Sequence, residues 1–143
     1  MITYNEAKAY SEQNPDELVE FKECYSNKGG WLSGSFLNGK KEGMFEYFSN
    51  YMLKFRDVHN SGTQQTEQVH FRSNGMILKH FFSHRNLIHG EYINFNEDGT
   101  VNEHCFSKSG AYIEELDYLL DEDRDEAFYV TLALHGIDKE YTF

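Results

Sequence analysis

Two turn signals recur along this chain at one spacing of 23 to 24 residues, a period that leaves room for only one small supersecondary unit per repeat. Asn38-Gly39, Ser61-Gly62, Arg85-Asn86 and Ser109-Gly110 are separated by 23, 24 and 24 residues. In step with them stand Tyr25-Ser26-Asn27, Phe48-Ser49-Asn50, Arg72-Ser73-Asn74-Gly75 and Phe95-Asn96-Glu97-Asp98-Gly99. Between the turns, aromatic and aliphatic residues alternate with polar ones, as in Phe45, Tyr47 and then Leu53, Phe55, Asp57 against Met52, Lys54, Arg56. Period-two alternation between turn residues predicts two short strands per unit, so residues 20 to 110 read as four β-hairpins. A lone hairpin cannot bury its apolar face, and the units must therefore join in one antiparallel sheet. Asn74-Gly75 and Asp98-Gly99 read as tight turns in which both residues take positive φ.

The segment Phe36-Leu37-Asn38-Gly39-Lys40-Lys41-Glu42-Gly43-Met44-Phe45-Glu46-Tyr47-Phe48 is repeated as Arg85-Asn86-Leu87-Ile88-His89-Gly90-Glu91-Tyr92-Ile93-Asn94-Phe95. It resembles the MORN repeat, and more closely the variant found in YwqK-type antitoxin repeat proteins, in which an Asn-Gly-Lys-x-x-Gly turn leads into an aromatic strand. The resemblance covers residues 20 to 110 and implies an architecture rather than an activity, because such repeats occur in antitoxins, in membrane-associated scaffolds and in parts of enzymes. Thr66 replaces the glycine that would open the third unit, Tyr51 the mid-hairpin glycine of the second, and Asn86 stands where Gly39 and Gly62 stand. Asn reaches the left-handed region readily. Thr66 and Tyr51 do so only at a cost, which predicts altered turns around them.

Both ends depart from the period. Asn5 is a candidate cap for a short helix through Tyr10, and Asn14-Pro15-Asp16-Glu17 for a second one, giving an N-terminal helical lid over residues 1 to 19 that would protect an open sheet edge. From Ala111 to Phe143 the chain carries ten acids against Arg124 and Lys139, a net charge of −8 out of −11 for the whole protein. Ile113, Leu116, Leu119 and Leu120 follow helical spacing, as do Phe128, Leu132 and His135, and Gly136 is placed to stop the second helix. The expected fold is therefore mainly β, a single domain of about four repeated hairpins with short helices at both ends, α+β overall.

Catalytic constellations are scarce. Cys24 and Cys105 lie in the first and last units, too far apart in a linear stack for the roughly 6 Å Cα separation of a disulfide, and are expected as reduced, buried thiols. His104 beside Cys105 should point to the opposite strand face, which argues against an activated thiolate. His80 and His84 share a face, but about 13 Å of strand would separate them, beyond joint coordination of one ion. The acids lack the spaced loop of a calcium site. There is no phosphate loop or nucleophile elbow. No cofactor and no metal are expected.

These features point to a non-enzymatic protein-binding module, an inhibitor or antitoxin-like factor that occludes a basic surface of a target protein. The acids Asp117, Asp121, Glu122, Asp123, Asp125 and Glu126 would steer and pair with Lys or Arg, and the aromatics Trp31, Tyr47, Tyr92 and Tyr112 would bury against the partner. Lys40-Lys41 is the only adjacent basic pair, and the net charge of −11 argues against direct binding to nucleic acid or an anionic membrane. The chain has no apolar run of bilayer length and no basic-then-apolar start, which predicts a soluble, cytoplasmic monomer or small oligomer. Three other readings stay open: a scaffold that self-associates through sheet edges, an acidic mimic of nucleic acid, and an enzyme built on His80, His104 and Glu103.

Overall fold

Every marker of the period is a chain reversal, and the two series lie on opposite rims of one sheet. The computed structural model describes residues 2–143. Its strands are β1 (Val19–Ser26), β2 (Gly30–Leu37), β3 (Lys40–Lys41), β4 (Gly43–Ser49), β5 (Met52–Asn60), β6 (Gln65–Phe71), β7 (Ile77–His84), β8 (Leu87–Phe95), β9 (Val101–Lys108) and β10 (Ala111–Tyr112). They pair antiparallel in the order β1-β2-β4-β5-β6-β7-β8-β9-β10, with β3 folded onto β2. The four long hairpins β1/β2, β4/β5, β6/β7 and β8/β9 are the four repeats.

Four of the reversals are two-residue turns with both residues left-handed: Asn38-Gly39 (φ 50° and 74°), Asn50-Tyr51 (53° and 64°), Arg85-Asn86 (51° and 67°) and Ser109-Gly110 (48° and 88°). That geometry matches the twist of the flanking strands. The turn at Tyr51 is thus not altered, contrary to the expectation from its missing glycine. Tyr51 bears the strain of roughly 1–2 kcal/mol while its backbone N–H donates to the Gly29 carbonyl at 3.1 Å and its hydroxyl to the Asn27 carbonyl at 3.3 Å. The turns at Asn74-Gly75 and Asp98-Gly99 differ from expectation in the other direction: only Gly75 (φ 85°) and Gly99 (φ 87°) are left-handed. Each closes a three-residue loop, Arg72 to Met76 and Asn96 to Thr100, of the type I plus glycine bulge kind. Gly43 and Gly90 open their units at φ 78° and 99°, whereas Thr66 sits buried inside β6 without a left-handed backbone.

Register and strand alternation sort the side chains onto two faces. One face carries Val19, Phe21, Leu32, Phe36, Phe45, Tyr47, Phe55, Asp57, His70, Phe81, Tyr92 and Cys105; the other carries Trp31, Phe48, Arg56, Val69, His80, Phe82, Glu91, His104 and Phe106. Helix α1 (Tyr4–Gln13) covers the first face at the β1/β2 end, where Ala7 packs with Val19, Phe21, Phe36 and Phe45. Residues 113–143 cover the second face at the β7 to β9 end, where Phe82 and Phe106 meet Leu116, Leu119, Phe128, Leu132, Ile137 and Tyr141. The two covers thus lie at opposite ends and on opposite sides.

Thr3, not Asn5, caps α1, its Oγ1 accepting from Glu6 N at 3.2 Å. Asn14 ends this helix rather than starting a second one, because only four residues remain before β1 and the chain must extend to reach it. The helix also lies against the sheet face rather than over its edge, with Ser11 Oγ accepting from the Gly39 backbone N–H at 2.9 Å. At the other end Ile113, Leu116 and Leu119 recur every third residue, which suits the 3-10 helix η1 (Glu114–Asp121) better than an α-helix. Helix α2 (Glu126–Leu134) starts at Asp125, whose carboxylate accepts from Phe128 N at 3.0 Å. It stops at Gly136 (φ 82°), where Gly136 N bonds the Ala133 carbonyl and Ile137 N the Leu132 carbonyl, both at 2.9 Å. A further 3-10 turn, η2 (Lys139–Tyr141), precedes the last residues.

One buried carboxylate ties this C-terminal segment down. The Glu91 side chain is 1% exposed and accepts from Arg124 Nη1 at 2.8 Å and Nη2 at 2.5 Å, from His104 Nε2 at 2.5 Å and from the Phe143 backbone N–H at 3.0 Å. Burial alone would push its carboxyl up, but the bonds from His104, Arg124 and Phe143 and the Arg124 charge outweigh it and hold the group at about 2. Next to it Gly90 has no alternative, since a Cβ there would stand 2.3 Å from the Tyr141 carbonyl oxygen. Because Glu91 titrates lower in the fold than in the unfolded chain, its stabilisation is complete above about pH 4.5 and is lost as pH falls towards 2. Glu91→Ala strands the Arg124 charge against the core and is expected to lower stability by about 3–5 kcal/mol in urea unfolding at pH 7; a loss below 1 kcal/mol is incompatible with this role.

Candidate functional site

The six acids singled out in the C-terminal segment separate into three groups once folded. Glu122, Asp123 and Asp125 converge with Tyr118 and Thr131 on an open groove of about 310 Å³ between η1 and α2. Asp121 and Glu126 are exposed beside them in the chain. Asp117 is taken out of the group: it turns to the sheet edge, where it accepts from the Tyr112 hydroxyl and raises that phenol to about 12. Asp125 faces the groove but spends one oxygen on the helix start. The single cation within the run, Arg124, points inward to Glu91, so Asp121, Glu122 and Asp123 make no ion pair among the described residues. The outcome is a concentrated, uncompensated negative surface.

Of the aromatics singled out in the sequence, none joins this groove. Trp31 lies on the second face, stacked on Phe48 at 4.3 Å with the Lys22 ammonium 4.7 Å over its ring. Tyr112 is exposed at the sheet edge beside Asp117. Tyr47 and Tyr92 share the first face and end a ladder of rings that crosses five strands: Tyr47 to Phe55 at 5.2 Å, Phe55 to His70 at 5.6 Å, His70 to Phe81 at 5.8 Å, and Phe81 to Tyr92 at 5.6 Å. Burial and then the Lys79 charge lower the His70 pKa, so its ring stacks as a neutral imidazole. Neither α1 nor the C-terminal segment covers this stretch of sheet. The aromatic residues that do line the acidic groove are Phe128, which is buried, and Tyr118, 58% exposed, which the sequence pattern passed over because it falls between the buried Leu116 and Leu119. Val130 and Leu134 are further exposed apolar side chains of α2.

His84 and His89 meet against Tyr141 with ring centres 5.8 Å apart, and the other histidines singled out in the sequence take separate partners. His80 pairs with Glu67 at 2.8 Å, His104 with Glu91, and His89 accepts from Ser109 N at 3.1 Å. Glu103 lies on the opposite sheet face from His80 and His104, so that trio does not converge. No group of three or more His, Cys, Asp or Glu side chains is placed to hold a metal ion among the described residues. Both cysteines are free; Cys105 is buried, but Cys24 is exposed, contrary to expectation, since it lies near the end of the outermost strand. Burial, then Glu103 and Asp117, raise the Cys105 pKa, and His104 beside it faces the other way. No helix among the described residues is long and apolar enough to cross a membrane.

One polar pair on the first face is left unsatisfied. Asp57 and His59 stand 4.0 Å apart, too far to bond, and Asp57 Oδ1 and His59 Nε2 are buried without a partner among the described residues. Burial raises the Asp57 carboxyl to about 6 despite the Lys41 charge, and burial with Lys41 lowers His59 to about 4. Asp57 thus binds its proton more tightly in the fold, and its cost to stability grows as pH rises from about 4 to 6 and persists above. Asp57→Asn is expected to stabilise the protein by about 1–2 kcal/mol at pH 7, with the gain gone below pH 4. Thermal unfolding of both forms across pH checks this; a destabilised variant at pH 7 would contradict it.

Comparison with protein-family models, curated proteins and solved structures gives no match.

Proposed function

We propose that the protein is a non-enzymatic binding module, an inhibitor or antitoxin-like factor of the cytoplasm that occludes a basic surface of a target protein. The observation that carries this reading is the inward turn of Arg124, which leaves Asp121, Glu122 and Asp123 unpaired beside a groove. Negative charge held this way accelerates encounter with a cationic surface, and the groove supplies a place for a Lys or Arg side chain to rest against the face of Tyr118. The turns that resemble YwqK-type antitoxin repeats agree with such a role. The ladder from Tyr47 to Tyr92 offers a second, less polar contact surface on another side of the molecule.

A scaffold is the second reading, favoured by the outer edge of β1, whose eight residues end the sheet without a neighbouring strand. Sedimentation over a wide concentration range separates the two: a scaffold self-associates, whereas the inhibitor stays monomeric until its target is added.

To test the leading reading, the target is first captured from host lysate at low salt and identified as it elutes on raising salt. Association is then timed with the purified pair. The triple variant Asp121→Asn, Glu122→Gln, Asp123→Asn is expected to associate about tenfold more slowly and with a flatter salt dependence. Tyr118→Ala is expected to speed dissociation while leaving association nearly unchanged. Wild-type rates in the triple variant would remove the acidic groove from the mechanism.

A further inference from the structure

A second groove, of about 190 Å³, lies on the rim formed by the turn Asn38-Gly39, the loop of residues 61–64 and the turn Arg85-Asn86. Its lining contains Lys40, Lys41 and Arg85 and no carboxylate. In a chain with 24 acids and 13 Lys and Arg, a concave surface bounded by three cations and no acid runs against the composition. The repeat produces it. Successive turns on one rim are two strands, or about 10 Å, apart, so long side chains on the first and third turns reach over the loop between them.

Two of the three cations are held in place, Arg85 and Lys41. Arg85 has a fixed left-handed backbone; its N–H donates to the Gln64 carbonyl at 3.1 Å and its Nε to Gln64 Oε1 at 2.6 Å, while its Nη groups make no hydrogen bond among the described residues. The Lys41 ammonium rests 5.3 Å from the Phe45 ring centre. Neither lysine nor Arg85 forms an ion pair among the described residues. Glu42, the carboxylate that touches the middle loop, is spent on the Ser61 backbone N–H at 2.8 Å and does not line the groove. Side-chain amides of Gln64 and Asn86 add neutral donors.

We propose that this rim groove is a binding site for a small phosphate-class anion, with Lys40, Lys41 and Arg85 as its charged ligands. The two lysine ammoniums act as compact point charges and the guanidinium supplies a planar pair of donors, a combination suited to the several oxygens of a diphosphate. The site lies away from the acidic groove and does not depend on a protein target.

Titration of isotopically labelled full-length protein with inorganic pyrophosphate, followed by amide NMR at low and constant ionic strength, tests the proposal. Saturable shifts confined to residues 38–41, 60–66 and 84–87 are expected, with a dissociation constant on the order of 1 mM or tighter. The variant Lys40→Gln, Lys41→Gln, Arg85→Gln, whose exposed positions leave the core intact, should bind at least tenfold more weakly and show an unchanged spectrum elsewhere. A parallel titration with adenosine diphosphate assigns the source: tighter binding than pyrophosphate points to a nucleotide, equal binding to the bare diphosphate. Non-saturating shifts, shifts spread equally over Lys22, Lys54 and Lys79, or wild-type affinity in the triple variant would each overturn the site.

Discussion

A single-layered sheet has two faces, and each hairpin added to it extends both; among the described residues two short segments cover them. That shortage governs the rest of the structure. Helix α1 shields the first face where Phe21, Phe36 and Phe45 cluster, and the C-terminal segment shields the second where Phe82 and Phe106 do. What neither cover reaches must be tolerable to water, and the strands between them meet that need differently on each side. On the second face, the charged residues Arg56 and Glu46 stand opposite each other in register and keep that stretch polar. On the first, rings stack with their planes inclined by only 19–38° into a ladder in which each partly shields the next.

The C-terminal cover packs through apolar contacts but is rich in acids that repel one another. Glu91 resolves this by drawing the segment's one central cation into the sheet and by binding the backbone of the last residue. Structure and surface are thereby linked: the bond that fastens the segment also strips the acidic run of its counter-charge. A surface of high negative density arises as a by-product of a structural clamp, and any change at Glu91 alters both together.

Much of the architecture was legible along the chain because turns and strands are local. The period, the four hairpins, the glycine stop at Gly136 and the helical character of both ends follow from spacing and from residues that favour particular backbone angles. Structure and sequence expectation part where several residues can serve one local role. Thr3 and Asn5 are both competent caps, and Asn14 can start or end a helix; the length of chain needed to reach β1 decides. Tyr51 keeps a left-handed turn because its strain is offset by hydrogen bonds to the neighbouring turn at Asn27 and Gly29, which the local sequence does not show to be near.

By itself the sequence determined that this protein is a meander of hairpins, that its charge is concentrated in the last quarter, and that no catalytic motif is spelled out in it. Only the tertiary structure decided which faces are covered, that Arg124 turns inward, that Asp117 leaves the acids for Tyr112, and that Tyr47 and Tyr92 belong to one ladder while Trp31 lies on the other face. It also decided that Lys40, Lys41 and Arg85 share one groove. The reason is physical: backbone turns and strand periods depend on neighbours in sequence, whereas the fate of a long charged or aromatic side chain depends on strand register and on what packs above it.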